Sequence, residues 1–318
     1  MWLTACSSDS GDDAPTNSGN ALQMGGCATR SGNVSLSDAT QIAFFLTNGT
    51  TAKRCTFTYY AEAARWSSNA TTEEGTPYHL YGTMSAHGAT TMEATPLAGD
   101  FANGAVLTLN GLNPVTTQSI DFIVGVKGGD GVAQASDITE WSYLYEGQPE
   151  GQNSVHLLLD HLYAAVSMQL KVTENYAKLR TIKLKDMRLQ PTPLNTVDVS
   201  VTQPVGGTPI FSQTTSAEAT SAPVLLSNAD GVELSTETPV QVEAYLIPGL
   251  EGLKLISTYD VYDKSGKCLR KDCTSENNLL SRVRMERGTR TILNLTVNPT
   301  YLGVLSDPDF NNPKISIE

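Results

Sequence analysis

Val166–Thr173, with the sequence VSMQLKVT, is the stretch that decides the fold class. Apolar and polar residues alternate along it without a break, which predicts a strand with one buried and one exposed face. Turn sequences such as Asn110-Gly111 separate the apolar runs, and no segment keeps a helical period. The chain is therefore predicted to be all-β, built from many short strands as sandwiches are. The same alternation recurs at residues 120–126, 197–201, 240–244 and 293–298.

A polar Gly/Pro segment, Gly147–Asn153, divides the strand-rich sequence into two parts. The length of 318 residues suits two domains, and we place their boundary in this segment. Residues 7–26 have almost no apolar side chains, so they are expected to form a flexible tether. The predicted organisation is a signal remnant and tether over residues 1–26, followed by β-sandwich domains over residues 27–152 and 153–318.

The net charge of the chain is −12, from 33 acidic and 21 basic residues. Nucleic acid is not expected as a partner, because binding to phosphates needs a basic surface. No apolar run is long enough for a helix that crosses a bilayer. Attachment to a membrane would therefore need a lipid or a partner protein.

Patterns that support catalysis or metal binding are missing from the sequence. The four histidines form no H-E-x-x-H pair, and there is neither a G-x-S-x-G elbow nor a P-loop. Asp160 and His161 are the most suggestive polar pair, but no third catalytic partner accompanies them, which favours a structural role. We therefore expect no catalytic residue, no cofactor and no metal, and we classify the chain as a non-enzyme.

The cysteines of the chain are Cys6, Cys27, Cys55, Cys268 and Cys273. Leu3–Cys6 resembles the end of a bacterial lipoprotein signal, in which the cysteine becomes acylated, although only five residues precede it. With Cys6 acylated, four cysteines remain for disulfides, which suit an exported protein. The simplest pairing is Cys27–Cys55 and Cys268–Cys273, and inert thiols are the alternative because spacing does not fix connectivity.

Three aromatic residues, Trp141, Tyr143 and Tyr145, alternate, so their rings are expected on one face of a strand. An exposed face of this kind could stack on sugar rings, which makes a carbohydrate-binding surface lipoprotein the alternative function. Such a stripe more often fills or covers the core of a sandwich.

Three further features of the sequence are considered together. The first is the Leu3–Cys6 start with its Ser/Asp-rich continuation, and the second is Ala28–Arg30, which precedes the apolar run Ile42–Leu46. The third is the run Val155–Met168 with its histidine and small residues. Together with the ending, residues 287–318, they resemble the fimbrillin-like proteins of Bacteroidales. These are the subunits of type V pili and the related anchor and tip lipoproteins. The resemblance spans nearly the whole chain.

The resemblance implies two tandem transthyretin-like Greek-key β-sandwiches and a function in assembly, as a fimbrial subunit in cell adhesion. It implies a lipid such as palmitate on Cys6 and a position on the outer membrane. The partners would be other fimbrial subunits and a ligand on a host or bacterial surface.

The resemblance also implies assembly by strand exchange. A trypsin-like protease would cut after Arg30 and free Ala21–Arg30, and the vacated groove would accept the C-terminal segment of the next subunit. Ala21–Arg30 is a poor strand because it contains Gly25-Gly26, which leaves an anchor or terminal subunit open beside a shaft subunit. The donor would be Thr300–Glu318, and its alternating residues are Lys314, Ile315, Ser316 and Ile317.

Overall fold

The protein is built almost entirely from strands. The computed structural model describes residues 20–29, 32–33, 36–38, 40–85, 92–112, 120–128, 142–190, 197–215, 224–246, 248, 252–301 and 308–317. Helical structure in these ranges is limited to α1 (Glu174–Ala177) and single 3₁₀ turns at Leu97–Gly99 and Phe101–Asn103. The all-β class predicted from the sequence is confirmed. Within the same ranges, no helix has the length and apolar character needed to span a bilayer.

The strands of the described residues follow one another in this order: β1 (Gln23–Thr29), β2 (Gly32–Asn33), β3 (Gln41–Asn48), β4 (Thr51–Tyr60), β5 (Arg65–Ser68), β6 (Pro77–Ser85), β7 (Met92–Pro96), β8 (Gly104–Leu112), β9 (Ile120–Gly128), β10 (Leu144–Glu146), β11 (Ser154–His161), β12 (Ala164–Val172), β13 (Thr181–Gln190), β14 (Val197–Pro204), β15 (Ile210–Thr215), β16 (Val224–Glu233), β17 (Val240–Leu246), β18 (Lys254–Tyr262), β19 (Cys268–Asn278), β20 (Arg290–Tyr301) and β21 (Pro308–Ile317).

The first core lies between a large sheet and a small one. The large sheet has the order β2-β1-β11-β9-β6-β3-β4-β5, with β10 paired to β6, and the small sheet has the order β15-β14-β8-β7. β3 is flanked by β4 and β6, and its apolar run Ile42–Leu46 is almost wholly buried. Phe44 of this run stacks on Phe57 of β4, with ring centroids 4.6 Å apart. The run fits an internal strand because side chains on both faces are covered by neighbours.

The second core lies between two sheets of four strands, β17-β12-β20-β21 and β16-β13-β18-β19. β12 contains all but the last residue of the alternating stretch VSMQLKVT, and its Val166, Met168 and Leu170 are fully buried. Each such side chain contributes about 1.5–3 kcal/mol through burial. β12 pairs antiparallel with β17 and parallel with β20. The strand predicted from alternation is thus the centre of this half.

The two cores do not separate at residues 152 and 153, where the sequence places the domain boundary. β11 follows that point in the chain, but it lies in the first sheet between β1 and β9. β14 and β15 also return to the first core, because β14 pairs with β8. The buried residues change from the first core to the second between Tyr163 and Ala164. The segment at 147–153 has the composition of a linker, yet it packs as a turn within the first half.

Candidate functional site: the terminal strands and the junction of the cores

The first strand, β1, is paired along the whole of one side. There it runs parallel with β11, from Gln23 opposite Ser154 to Thr29 opposite Leu159. On its other side only the end of β1 pairs, with the two-residue strand β2. Ahead of β1, Ala21 bridges Thr71, and the Leu22 N–H donates to the Ala70 carbonyl at 2.9 Å. If this segment left, the β11 edge would lose its partner and the pockets of the segment's buried side chains would open.

Few apolar side chains of β1, or of the residues just before it, are buried in the first core. Leu22 and Met24 are buried there, and Cys27 packs against the core from β1. Burial, with a smaller contribution from the nearby Asp121 carboxylate, raises the pKa of Cys27 to about 12. The N-terminal segment thus buries two large apolar side chains, Leu22 just before β1 and Met24 within it.

The glycine pair in β1 makes room for a histidine of β11. The ladder has a bulge between Met24 and Gly26, and His156 lies opposite Gly26. A Cβ atom on Gly25 would lie 2.6 Å from Cε1 of His156, so any larger residue there requires the ring to move. Gly25-Gly26 makes the segment a poor strand in isolation, but the absence of side chains there leaves room for the His156 ring of β11.

A buried asparagine holds the start of β1. Asn153 is only 2% exposed. Its Oδ1 accepts from the Thr72 hydroxyl at 2.9 Å and from the Tyr145 hydroxyl at 2.6 Å, and its Nδ2 donates to the Asn20 carbonyl at 2.9 Å. Its own carbonyl accepts from the Gln23 N–H at 2.8 Å. We call Asn153 and these four partners the clasp. No sequence pattern predicted the clasp, because Asn153 lies in a segment with the composition of a linker.

The last strand, β21, lies on the edge of the second half. It pairs antiparallel with β20, with Ile315 opposite Val297 and Ile317 opposite Leu295. Ile315 is buried in the second core, and its carbonyl accepts from the Asn277 side chain at 2.7 Å. The predicted donor residues 314–317 thus form a strand of the chain's own second half, at a position with one neighbour in the sheet.

A charged cluster joins the two cores. Nδ1 of His161 lies 2.6 Å from the buried Asp121 carboxylate, which raises the pKa of His161 above its ordinary value. Arg287, in the turn between β19 and β20, donates from Nη1 to the His161 carbonyl at 3.0 Å and lies 3.5 Å from Asp160. Its guanidinium carbon stands 3.4 Å from the ring centroid of Phe211 in β15. The pair Asp160–His161 is therefore part of a structural junction, as the sequence favoured.

The aromatic stripe does not offer a sugar-binding face. Tyr143 and Tyr145 are buried in the first core, and Tyr81 packs 4.9 Å from the Tyr143 ring, centroid to centroid. The Tyr145 hydroxyl is used in the clasp. Both tyrosines point inward, so these two rings are closed to a ligand. Trp141 lies outside the described residues.

The remaining predicted site residues divide into three groups. Cys6 and Arg30 lie outside the described residues, so acylation and cleavage stay predictions. Cys27 and Cys55 in the first half, and Cys268 and Cys273 in β19, are free thiols in the structure, and their pairing stays a prediction. Across the described ranges, no three His, Cys, Asp or Glu side chains come close enough to hold a metal.

The geometry defines an all-β chain whose first and last strands both pair within its own sheets. No family model matches the chain, and no curated protein matches it. Among solved structures, it is similar to a proposed cell adhesion protein from Bacteroides uniformis, with 14% identity and a TM-score of 0.43 over 96% of this chain and 99% of that one. A proposed cell adhesion protein from Bacteroides fragilis gives 10% identity and a TM-score of 0.44, covering 90% of this chain and 86% of that one.

A fimbrial protein from Bacteroides ovatus gives 11% identity and a TM-score of 0.39, covering 90% of this chain and 52% of that one. All three of these proteins come from Bacteroides species. The backbones overlap only loosely at these TM-scores, and the function proposed below rests on contacts within this chain.

Proposed function

We propose that this chain is a surface-exposed fimbrial subunit that contributes to cell adhesion and assembles by strand exchange. The observation that carries the proposal is the position of β1, which pairs with the β11 edge of the first sheet from Gln23 to Thr29, with only the two-residue strand β2 beyond it. A strand in such a position can be replaced by a strand from another molecule, because backbone pairing does not depend on the sequence of the incoming strand.

Cleavage after Arg30 would release the segment that includes β1. The β11 backbone would then lose its partners from Ser154 to Leu159, and the pockets of Leu22 and Met24 would open to solvent. The C-terminal segment of a neighbouring subunit, residues 300–318, is the proposed replacement. Its alternating residues 314–317 already form a strand in this structure.

The remaining parts of the proposal concern fold and location. We assign the two halves to transthyretin-like Greek-key sandwiches on a tether that ends before Asn20, because residues 21–26 of the predicted tether are paired or buried in the first half. Acylation of Cys6 would attach the tether to the outer membrane. The clasp and the matched glycine bulge hold β1 firmly, which favours an anchor or terminal subunit over a shaft subunit. We expect partners among other fimbrial subunits and a surface ligand, and no enzymatic activity.

Limited trypsin treatment followed by light scattering on a sizing column tests the exchange. The full chain, once cut at Arg30 and stripped of its N-terminal segment, should form multimers, with mass spectrometry confirming the cut. Arg30→Gln should remain monomeric after the same treatment. Arg65→Gln, at the exposed start of β5, is the matched control and should behave like the wild type.

A second variant tests the donor. A chain without residues 308–318, cut in the same way, should stay monomeric, because it has an open groove but no strand to insert. If the cut and stripped wild type remains monomeric, or if the shortened chain forms multimers as readily, assembly by strand exchange is refuted.

A further inference from the structure

A cleft opens at the junction of the two cores. Its volume is about 270 Å³, and its walls come from the turn between β11 and β12, from β14 and β15, from Pro248, and from the turn that carries Arg287. Polar groups on the wall belong to Tyr163, Ser212, Gln213 and Arg287. Leu162 and Val199 supply part of the apolar lining. The cleft is smaller than the sites that take drug-sized molecules, so it suits a ligand with a single ring.

Arg287 has unused hydrogen-bond donors at this cleft. Its Nη1 is bonded to the His161 carbonyl, and Phe211 covers one face of the guanidinium. Among the described residues, Nε and Nη2 have no acceptor. Burial lowers the pKa of Arg287, so the protein compensates only part of the cost of enclosing this charge. The stacked and bonded guanidinium is therefore held in place with one edge available.

Tyr163 adds a second donor without a partner. The residue is 4% exposed, and its hydroxyl has no hydrogen-bond partner within the described chain. Burial raises the pKa of Tyr163, so the hydroxyl keeps its proton at neutral pH. The amide of Gln213 donates to the Pro248 carbonyl at 3.0 Å, which leaves its oxygen as an acceptor. The cleft thus combines the free edge of the Arg287 guanidinium with neutral groups that suit hydroxyls, and the unpaired hydroxyl of its wall residue Tyr163 is buried.

We propose that this cleft binds an acidic monosaccharide through its carboxylate. The Nε and Nη2 edge of an arginine presents two parallel N–H groups that match the two oxygens of a carboxylate. Ser212 and Gln213 can bond the ring hydroxyls of a sugar, while the apolar lining covers its C–H faces. A peptide carboxylate shares the charge but not the hydroxyls, so it fits the cleft less well. This site goes beyond assembly and does not depend on strand exchange.

Calorimetric titration of the full chain with sodium D-glucuronate tests the site, with D-glucose as the neutral probe. Glucuronate should bind at least about tenfold more tightly than glucose, because only the acid makes the two charge-assisted bonds. Arg287→Gln should abolish the difference between the two sugars. Arg284→Gln is the matched control, since Arg284 lies on the same turn, is 70% exposed at its side chain and pairs only with Glu286 in the described structure.

Asp160→Asn provides a test that does not weaken the site. The Asp160 carboxylate lies 3.5 Å from Arg287 Nη1 and competes with a ligand for the positive charge. Asparagine keeps the acceptor for the His161 N–H, so the fold should be retained and glucuronate should bind several-fold more tightly. Equal affinities for glucuronate and glucose, or weaker glucuronate binding by Asp160→Asn, would overturn the proposal. So would a blocked tripeptide with a free C-terminal carboxylate that binds as tightly as glucuronate.

Discussion

Replacing Asn153 by alanine tests whether the clasp holds β1 in place. The change removes the acceptor of the Thr72 and Tyr145 hydroxyls and the donor to the Asn20 carbonyl. Three hydrogen bonds at about 1 kcal/mol each give most of the expected loss. The Tyr145 hydroxyl, buried in the first core, is also left without its partner, which costs about 1 kcal/mol more. We expect a total loss of roughly 3–4 kcal/mol, part of it as local opening of β1.

Urea unfolding measures the total loss of unfolding free energy, and hydrogen exchange followed by mass spectrometry shows which part of the chain opens. Peptides that cover residues 20–29 should exchange faster in Asn153→Ala, while peptides from the second half should not change. Asn48→Ala, at an exposed strand end, is the control and should stay within about 0.5 kcal/mol of the wild type. A loss below about 1 kcal/mol, or faster exchange spread evenly over the chain, would refute the assignment of a holding role to the clasp.

Two further predictions concern titratable groups. The ion pair with Asp121 raises the pKa of His161, so its stabilisation is complete below the unpaired value of 6.5 and is lost as the pH rises through the higher folded value. In the wild type, the unfolding free energy should therefore fall as the pH rises above 6.5, and in His161→Gln it should fall less steeply. Urea unfolding at several pH values measures this dependence. The same pH dependence in both proteins would contradict the role of this pair. The four free thiols predict that alkylation in urea without reductant labels Cys27, Cys55, Cys268 and Cys273, and that native Cys27, with its pKa of about 12, reacts far more slowly. Resistance of either predicted pair to labelling in urea would instead reveal a disulfide.

The strands themselves could be predicted because alternation is local information. Each of the alternating runs at residues 120–126, 166–173, 197–201, 240–244 and 293–298 lies almost entirely within a strand of the structure. Period two requires only that one face of a strand is buried, which the residues of the strand express on their own. Strand partners are different, because pairing depends on residues that are far apart in the chain. Nothing local indicates that β12 runs parallel to β20, or that β14 pairs with β8.

The candidate site was only partly predictable, for a related reason. The first strand and the last strand were recognised from the resemblance, and both are strands in the structure. The residues that hold β1 were missed because their chemistry is ordinary for a turn. Asn153 is typical of a loop, and only its burial against Tyr145 and Thr72 turns it into a structural residue. The aromatic alternation predicted a common face, but the choice between core and surface is made by the second sheet.

The energetics of β1 indicate what an incoming strand must provide. Loss of Leu22 and Met24 from their pockets would cost about 1.5–3 kcal/mol for each side chain. Ile315 and Ile317 of the proposed donor are also two residues apart, so they can refill two neighbouring pockets at a similar gain. Backbone pairing with β11 is regained as well.

The clasp adds two bonds to the N-terminal segment, at the Asn20 carbonyl and the Gln23 N–H, which a donor regains only where its own backbone reaches the same two positions. At about 1 kcal/mol each, these two bonds favour the resident strand by a factor of about thirty. Removing the clasp should thus shift the balance toward exchange. Asn153→Ala, cut after Arg30 but not stripped of its N-terminal segment, should form more multimers than the wild type treated identically. An equal multimer fraction would show that the hold on β1 lies elsewhere.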